Sequence, residues 1–438
     1  MSAAVDRFVA DFARHAKSLP GAHVPWVARL REDAITRFAE RGLPTTRDED
    51  WKYTNVAPIA KRDFALVAPG AQPDVDIGAF LLDGDATHRL VFVDGRYAPT
   101  LSAIGRLPAG VTLESLASVL ARGPDALEAW FAADAHETVF ASLNTAFMSD
   151  GVHLRLSRGI VLDAPIHALF ISTAAGAAVH PRNVIVAEDG ARATLIEHYV
   201  GVDGAASLTN AVTRVFVGAN AWIAHDRLQD ESAGALHVGA VHASQARASR
   251  FASHSIALGA ALARHDITTA FEADGCNAEL DGLFVAGGRQ HVDHHTRIDH
   301  AKPHGTSREY YKGILDGGAR GVFNGKVVVH PGAQRTDAHL ASHNLLLSKA
   351  AEIDTKPELT IDADDVKCAH GATVGQLDDD QLFYLRARGL DAPFARALLT
   401  YAFAHDVIER VRVASLRSAV ERALFARLPD GDRIRELA

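Results

Sequence analysis

The chain has 438 residues, of which 48% are hydrophobic and 23% charged, a globular balance with length for about two to four domains and a large core. Its 45 Lys and Arg stand against 54 Asp and Glu, a net charge of −9, so no overall basic field favours nucleic acid or an anionic membrane. Two cysteines cannot make a disulfide framework and point to a reducing compartment. Residues 1–19 are interrupted by Asp6, Arg7, Asp11, Arg14 and Lys17, so they do not read as a signal peptide. No later stretch reaches the roughly 18 apolar residues of a membrane span, and a soluble, cytoplasmic protein is expected.

Taken in order, residues 5–19 and 25–41 read as amphipathic helices. Val5, Phe8, Val9, Phe12 and Leu19 recur at helical spacing, as do Val27, Leu30, Ile35 and Phe38, with Pro20, Gly21, Gly42 and Pro44 as punctuation. Residues 47–54 form an acidic, then aromatic connector, expected to dock these helices by burying the rings of Trp51 and Tyr53. Residues 89–93 are a strand ending in the turn Asp94-Gly95. Residues 126–147 carry Leu127, Trp130, Phe131, Val139, Phe140, Leu143 and Phe147 three or four apart and predict one or two helices.

From about residue 150 to 370 the texture changes. Short β-rich runs, such as 152–156, 166–172, 184–187, 194–200, 212–217, 251–258, 283–285 and 321–329, follow one another between glycines and asparagines. The helices of roughly 10 to 15 residues that a doubly wound sheet would interpose are missing. Without a blade signature a propeller is disfavoured, but periodicity leaves a sandwich and a β-helix open. The chain divides into a helical and mixed region (1–148), a β-rich core (149–375) and a helical end (376–438).

Two groups of residues within the core could carry chemistry. Residues 290–300 are rich in histidine. Alternation along a strand puts His291, Asp293 and His295 on one face and His294 on the other, either a His/carboxylate metal patch or a stack of hydrogen-bonded polar groups. The metal reading would make the protein a β-helix or sandwich hydrolase. The second group, Cys368-Ala369-His370, follows a strand candidate at 357–361 and the acidic turn 362–365. Positions i and i+2 of a strand share a face, so thiol and imidazole would stand side by side, a soft, metal-competent pair short of a full ligand set. Cys276, in a turn, reads as a structural or incidental thiol.

At the end of the chain, Asp378 with Gln381 forms a capping box for a helix through 382–386, stopped by Gly389. Asp391 and Pro393 open a second, longer helix whose Phe394, Leu398, Phe403, Val407, Val411, Leu416, Val420 and Leu424 keep one period. The turn Arg386-Ala387-Arg388-Gly389-Leu390 is a candidate partner handle.

The runs 49–54, 311–315, 322–326, 334–338, 344–348, 366–375, 382–385 and 397–399 together resemble the SufB/SufD family over nearly the whole chain, and its SufD branch in particular. The resemblance implies a right-handed parallel β-helix between helical N- and C-terminal domains. It also implies a non-enzymatic scaffold for iron-sulfur cluster assembly, paired with SufB and with the ABC-type ATPase SufC, and a homodimer when alone. The SufB branch carries its cluster-building cysteine where this chain has Ala341-Ser342-His343, which argues against that branch. The SufD branch is expected to offer a histidine at the heterodimer interface, and His370 matches it. By that resemblance Cys368 and His370 become ligands of a transient iron-sulfur cluster shared with SufB, and reduced flavin in the assembled complex is left open. The same resemblance makes the C-terminal helices, with Arg386, Arg388, Gly389, Leu390, Phe394 and Arg396, the expected SufC-docking surface.

Overall fold

In a computed structural model the described residues are 3–67, 74–82, 88–123, 125–131, 137–202 and 204–436. Successive strands of the middle region do not pair with each other. From Arg182 onward each pairs in parallel with the next strand but one, so alternate strands build two separate sheets. One sheet runs through Leu236–Gln245, Leu262–Phe271, His291–His300, Arg320–Val329 and Glu352–Ile361. The other runs through Trp222–Asp230, Arg250–Ala257, Asn277–Ala286, Thr306–Leu315, Asp337–Leu346 and Lys367–Gly375. The result is a parallel β-solenoid of about eight turns, the β-helix rather than the sandwich.

The corners of the coils explain why short strands stack without helices between them. Asn220, Ala248, Gly275, His304 and Arg335 all adopt positive φ between 55° and 72°. Each amide reaches the next coil: Asn220 N to Arg247 O, Ala248 N to Asp274 O, Gly275 N to Pro303 O, His304 N to Gln334 O. Stacking holds non-glycine residues in a left-handed conformation that would be strained alone.

Alternate residues point into the bore. Leu195, Ile223, Val241, Ile267, Leu280, Phe323 and Leu340 form its apolar filling. The two outer faces are covered by the two ends of the chain. On the first sheet, Phe8, Phe38, Trp51 and Phe140 pack on Leu208, Leu236, Val238 and Leu262. On the second, Phe394, Tyr401, Ala404 and Val407 pack on Ile256, Leu283, Ile314 and Leu345.

The first two helices are Ala3–His15, extended by a short 3-10 turn to Ser18, and Pro25–Arg41. The strand expected at 89–93 is His88–Val93, and Asp94 and Gly95 turn it with φ of 47° and 77°. Within 126–147 there is a 3-10 segment, Asp125–Phe131, and an α-helix, Val139–Phe147; residues 132–136 lie outside the described residues. The C-terminal end corrects one expectation. The single long helix is three: Ala392–Ile408, Ala414–Phe425 and Gly431–Arg435. The first break falls where Val411 turns wholly inward while Arg410 and Arg412 reach Asp281 (3.3 Å) and Glu279 (2.6 Å) on the second sheet.

Candidate functional site

Among the described residues the last strand of the second sheet, Lys367–Gly375, pairs only with Asp337–Leu346, and no described strand lies against its other edge. Its register sets Cys368 beside Ala338 and His370 beside Leu340, both buried residues of the bore. Cys368 and His370 therefore continue inward-facing rows of the solenoid, and they meet solvent because no further coil covers them. Cys368 is half-buried against the bore's apolar core, and this burial pushes its thiol up. His370 is exposed. Ile361 and Val374, 41% and 49% exposed, are large apolar residues at the same open end. An unpaired, partly apolar strand edge is a template for another chain.

Directly after this strand, Asp378 caps the helix Asp379–Ala387 by accepting bonds from Asp380 N (2.8 Å) and Gln381 N (3.2 Å). That helix has no buried residue, and Phe383 and Tyr384 are 71% and 56% exposed. Arg388 lies 4.6 Å over the Tyr384 ring, Gly389 turns the chain at φ 92°, and Arg386 is exposed. Leu390 packs partly on the C-terminal core, and Arg396 is exposed, bonding Leu347 O at 3.3 Å. Phe394 is buried beneath Arg433, whose guanidinium is 4.0 Å from its ring, so it supports this surface from inside rather than forming it. The exposed aromatic pair was not singled out from the sequence. Its signal was Leu382-Phe383-Tyr384-Leu385, four large apolar residues in a row, more than one buried helical stripe can hold.

The histidine-rich strand is occupied by the protein itself. Asp293, on the outer face of the first sheet, accepts from Arg264 Nη1 (2.9 Å) and Thr54 Oγ1 (2.5 Å), and His295 Nε2 lies 3.0 Å away. The Thr54 proton goes to Asp293, so His291 Nε2–H donates to Thr54 Oγ1 at 2.8 Å. Burial would raise the Asp293 carboxyl, but His295 and Arg264 outweigh it and hold it well below the ordinary carboxylate range. Arg264 also bonds Asp266 and Asp50 O and lies 3.8 Å from the Trp51 ring. This is the hydrogen-bond stack, and it anchors the connector expected to dock the N-terminal helices. Arg264 already stands where a cation would bind Asp293. Among the described residues no group of three or more His, Cys, Asp or Glu is placed to hold a metal. A polar cleft of about 650 Å³ lies beside it, but of its cations, Arg264, Arg297 and Lys326 already face Asp266, Asp299 and Glu358, and Arg41 bonds Glu137 O. Cys276 is buried and donates to backbone carbonyls of Ala246 and Ala273, a structural thiol.

The sequence matches two family descriptions one after the other: the SufBD protein N-terminal region over residues 3–168, and the SUF system FeS cluster assembly SufBD core domain over 170–403. The chain belongs to the SufBD family. Relatives in the family include the iron-sulfur cluster assembly protein SufD of Escherichia coli, 36% identical over 91% of this chain and 92% of that one. A SufBD family protein of Synechocystis is 35% identical over 91% and 90%, and SufD of Bacillus subtilis 25% identical over 91% and 94%. Family membership makes this an iron-sulfur cluster assembly protein. Among the described residues no helix is long and apolar enough to cross a membrane.

For a family that handles clusters, thiolate and imidazole are suitable ligands for iron. The open end supplies one of each. A two-residue set leaves coordination positions for another chain, and a half-buried, protonated thiol needs a change of surroundings before it can ligate.

Proposed function

We propose that this chain is a scaffold subunit that performs no catalysis itself and acts as the SufD-type half of a heterodimer with a SufB-type partner. In this reading Lys367–Gly375 is completed by the partner's strand, and His370, assisted by Cys368, ligates a transient iron-sulfur cluster between them. The observation that carries the reading is the terminal strand, with an unpaired edge and inward rows that end in a thiol and an imidazole. The SufC ATPase docks on the C-terminal helices through the surface around Phe383, Tyr384, Arg386 and Arg388, with Gly389 and Leu390 shaping the turn.

The test is co-expression with and without SufB and SufC. The expected outcome is a complex of all three with iron and sulfide bound, and a homodimer when the chain is alone. Absorbance of the same complex under reducing conditions reports whether reduced flavin accompanies it. A chain that copurifies with neither partner would overturn the proposal.

A further inference from the structure

The terminal strand is tied to the C-terminal helices by a column of side chains on the outer face of the second sheet. Parallel register places Lys312, His343 and Thr373 side by side on three successive coils. Lys312, 5% exposed, donates to Phe403 O (2.9 Å), pairs with Asp406, and lies 4.3 Å from the Phe403 ring. Both partners belong to the helix Ala392–Ile408. Tyr310, next to Lys312 on the same face, is covered by Arg410 at 4.1 Å and meets the His343 ring at 5.5 Å. His343 Nδ1 then bonds Thr373 Oγ1 at 2.8 Å, while Asn344 Nδ2 donates to Thr373 O at 3.3 Å. Thr373 is thus gripped through both its side chain and its backbone.

We infer that Lys312 and His343 are positioning residues through which the helix Ala392–Ile408 sets the place of the strand that bears Cys368 and His370. An almost fully buried ammonium keeps its partners because leaving them bares an unpaired charge, so Lys312 follows Asp406 and Phe403 when the helix shifts. His343 passes that shift to Thr373, because its ring is held on one side by Tyr310 and bonded on the other to the strand. The first sheet's terminal strand, Glu352–Ile361, has a different tether, Lys356 to Glu49 of the N-terminal connector at 2.6 Å. The two end strands therefore answer to different parts of the chain. The consequence for cluster assembly rests on the function proposed above for Cys368 and His370; the mechanical link itself does not.

Hydrogen exchange read by mass spectrometry on the full chain alone tests the link. Asp406→Asn is expected to speed exchange of the hydrogen-bonded amides in 367–375 roughly tenfold while leaving 352–361 unchanged. His343→Ala is expected to speed 367–375 as well, and Asp406→Asn added to it should do nothing more, since the link is already cut. Lys312→Arg, which keeps a cation for Asp406, should behave as wild type, and Lys312→Met should not. Unchanged exchange at 367–375 in Asp406→Asn, equal acceleration of both end strands, or additive effects in the double variant would each overturn the inference.

Discussion

Thr54 and Asp293 lie 239 residues apart in sequence, yet the threonine hydroxyl donates to the aspartate at 2.5 Å. With Arg264 on the same carboxylate oxygen, this contact fastens the N-terminal connector to the solenoid. Removing Arg264 takes the guanidinium from buried Asp293 and leaves it with His295 alone. Arg264→Met should therefore cost about 3 to 5 kcal/mol in a denaturant titration. Thr54→Val removes one bond from the same group and should cost less, about 1 to 3 kcal/mol. Equal, negligible losses in both would mean that the network is not what holds the connector.

Glu309 predicts a pH dependence. It is buried in the bore, and burial outweighs the neighbouring Thr296 hydroxyl and pushes its carboxyl up to about 8 from an ordinary value of 4.5. Between those values the folded chain holds a proton that the unfolded chain releases. This contribution to stability is complete below about 4.5 and is lost as pH rises through about 8. Glu309→Gln keeps the neutral shape, so its denaturation midpoint should fall less than that of wild type between pH 5 and 8. Parallel profiles would show that Glu309 is not protonated in the fold.

How much of this was legible follows from particular residues. Strands at 152–156 and 166–172 could be read to their ends, because β-branched and large apolar residues are bounded by turn formers. The coil repeat could not be read. The left-handed corner is an asparagine, an alanine, a glycine, a histidine and an arginine in successive turns, and neighbouring coils rather than residue type hold it there. Bore positions tolerate Glu197, Arg227 and His265 beside Leu195 and Ile267, which blurs the alternation that sequence patterns depend on. The Cys-x-His pair was legible as a half-site from spacing, whereas its place at an uncovered end needed the register. The link from Thr54 to the histidine-rich strand was invisible, since nothing in either segment encodes a contact across so much chain.

Gly282 tests the packing of the bore. A Cβ there would meet the Tyr311 ring at 2.1 Å, and the ring is fully buried. Gly282→Ala should cost about 1 to 3 kcal/mol by overpacking. Gly371 has nothing within 4 Å of such an atom, so Gly371→Ala should be nearly neutral in the same thermal melt. A neutral Gly282→Ala would mean that the bore is looser than its contacts indicate.

The exposed aromatic pair gives a sharper test of SufC docking than truncation of the end of the chain. Deleting residues 378–438 would also bare Ile256, Leu283, Ile314 and Leu345 on the second sheet. Phe383 and Tyr384 project from a helix with no buried residue, so the double change Phe383→Ala, Tyr384→Ala should move the melting temperature little. If these rings anchor the ATPase, copurified SufC should fall at least about tenfold, as loss of an aromatic hot spot does. Wild-type recovery of SufC would place docking elsewhere on the chain.

His370→Ala addresses the cluster site itself. The residue is exposed on the last strand of the solenoid, so truncation should cost no more than about 0.5 kcal/mol and leave association with SufB intact. Iron and sulfide in the copurified complex should nevertheless fall sharply, because no neighbouring imidazole of this chain shares its inward row: positions 368, 372 and 374 are Cys, Ala and Val. Cys368→Ala should do milder harm, since its thiol is half-buried and held protonated by burial. His291→Ala and His295→Ala should leave cluster content near wild type while lowering the melting temperature, because those rings serve the Asp293 network. A His370→Ala complex with full iron and sulfide would remove the ligand role. A melt lowered by many degrees would make His370 a structural residue.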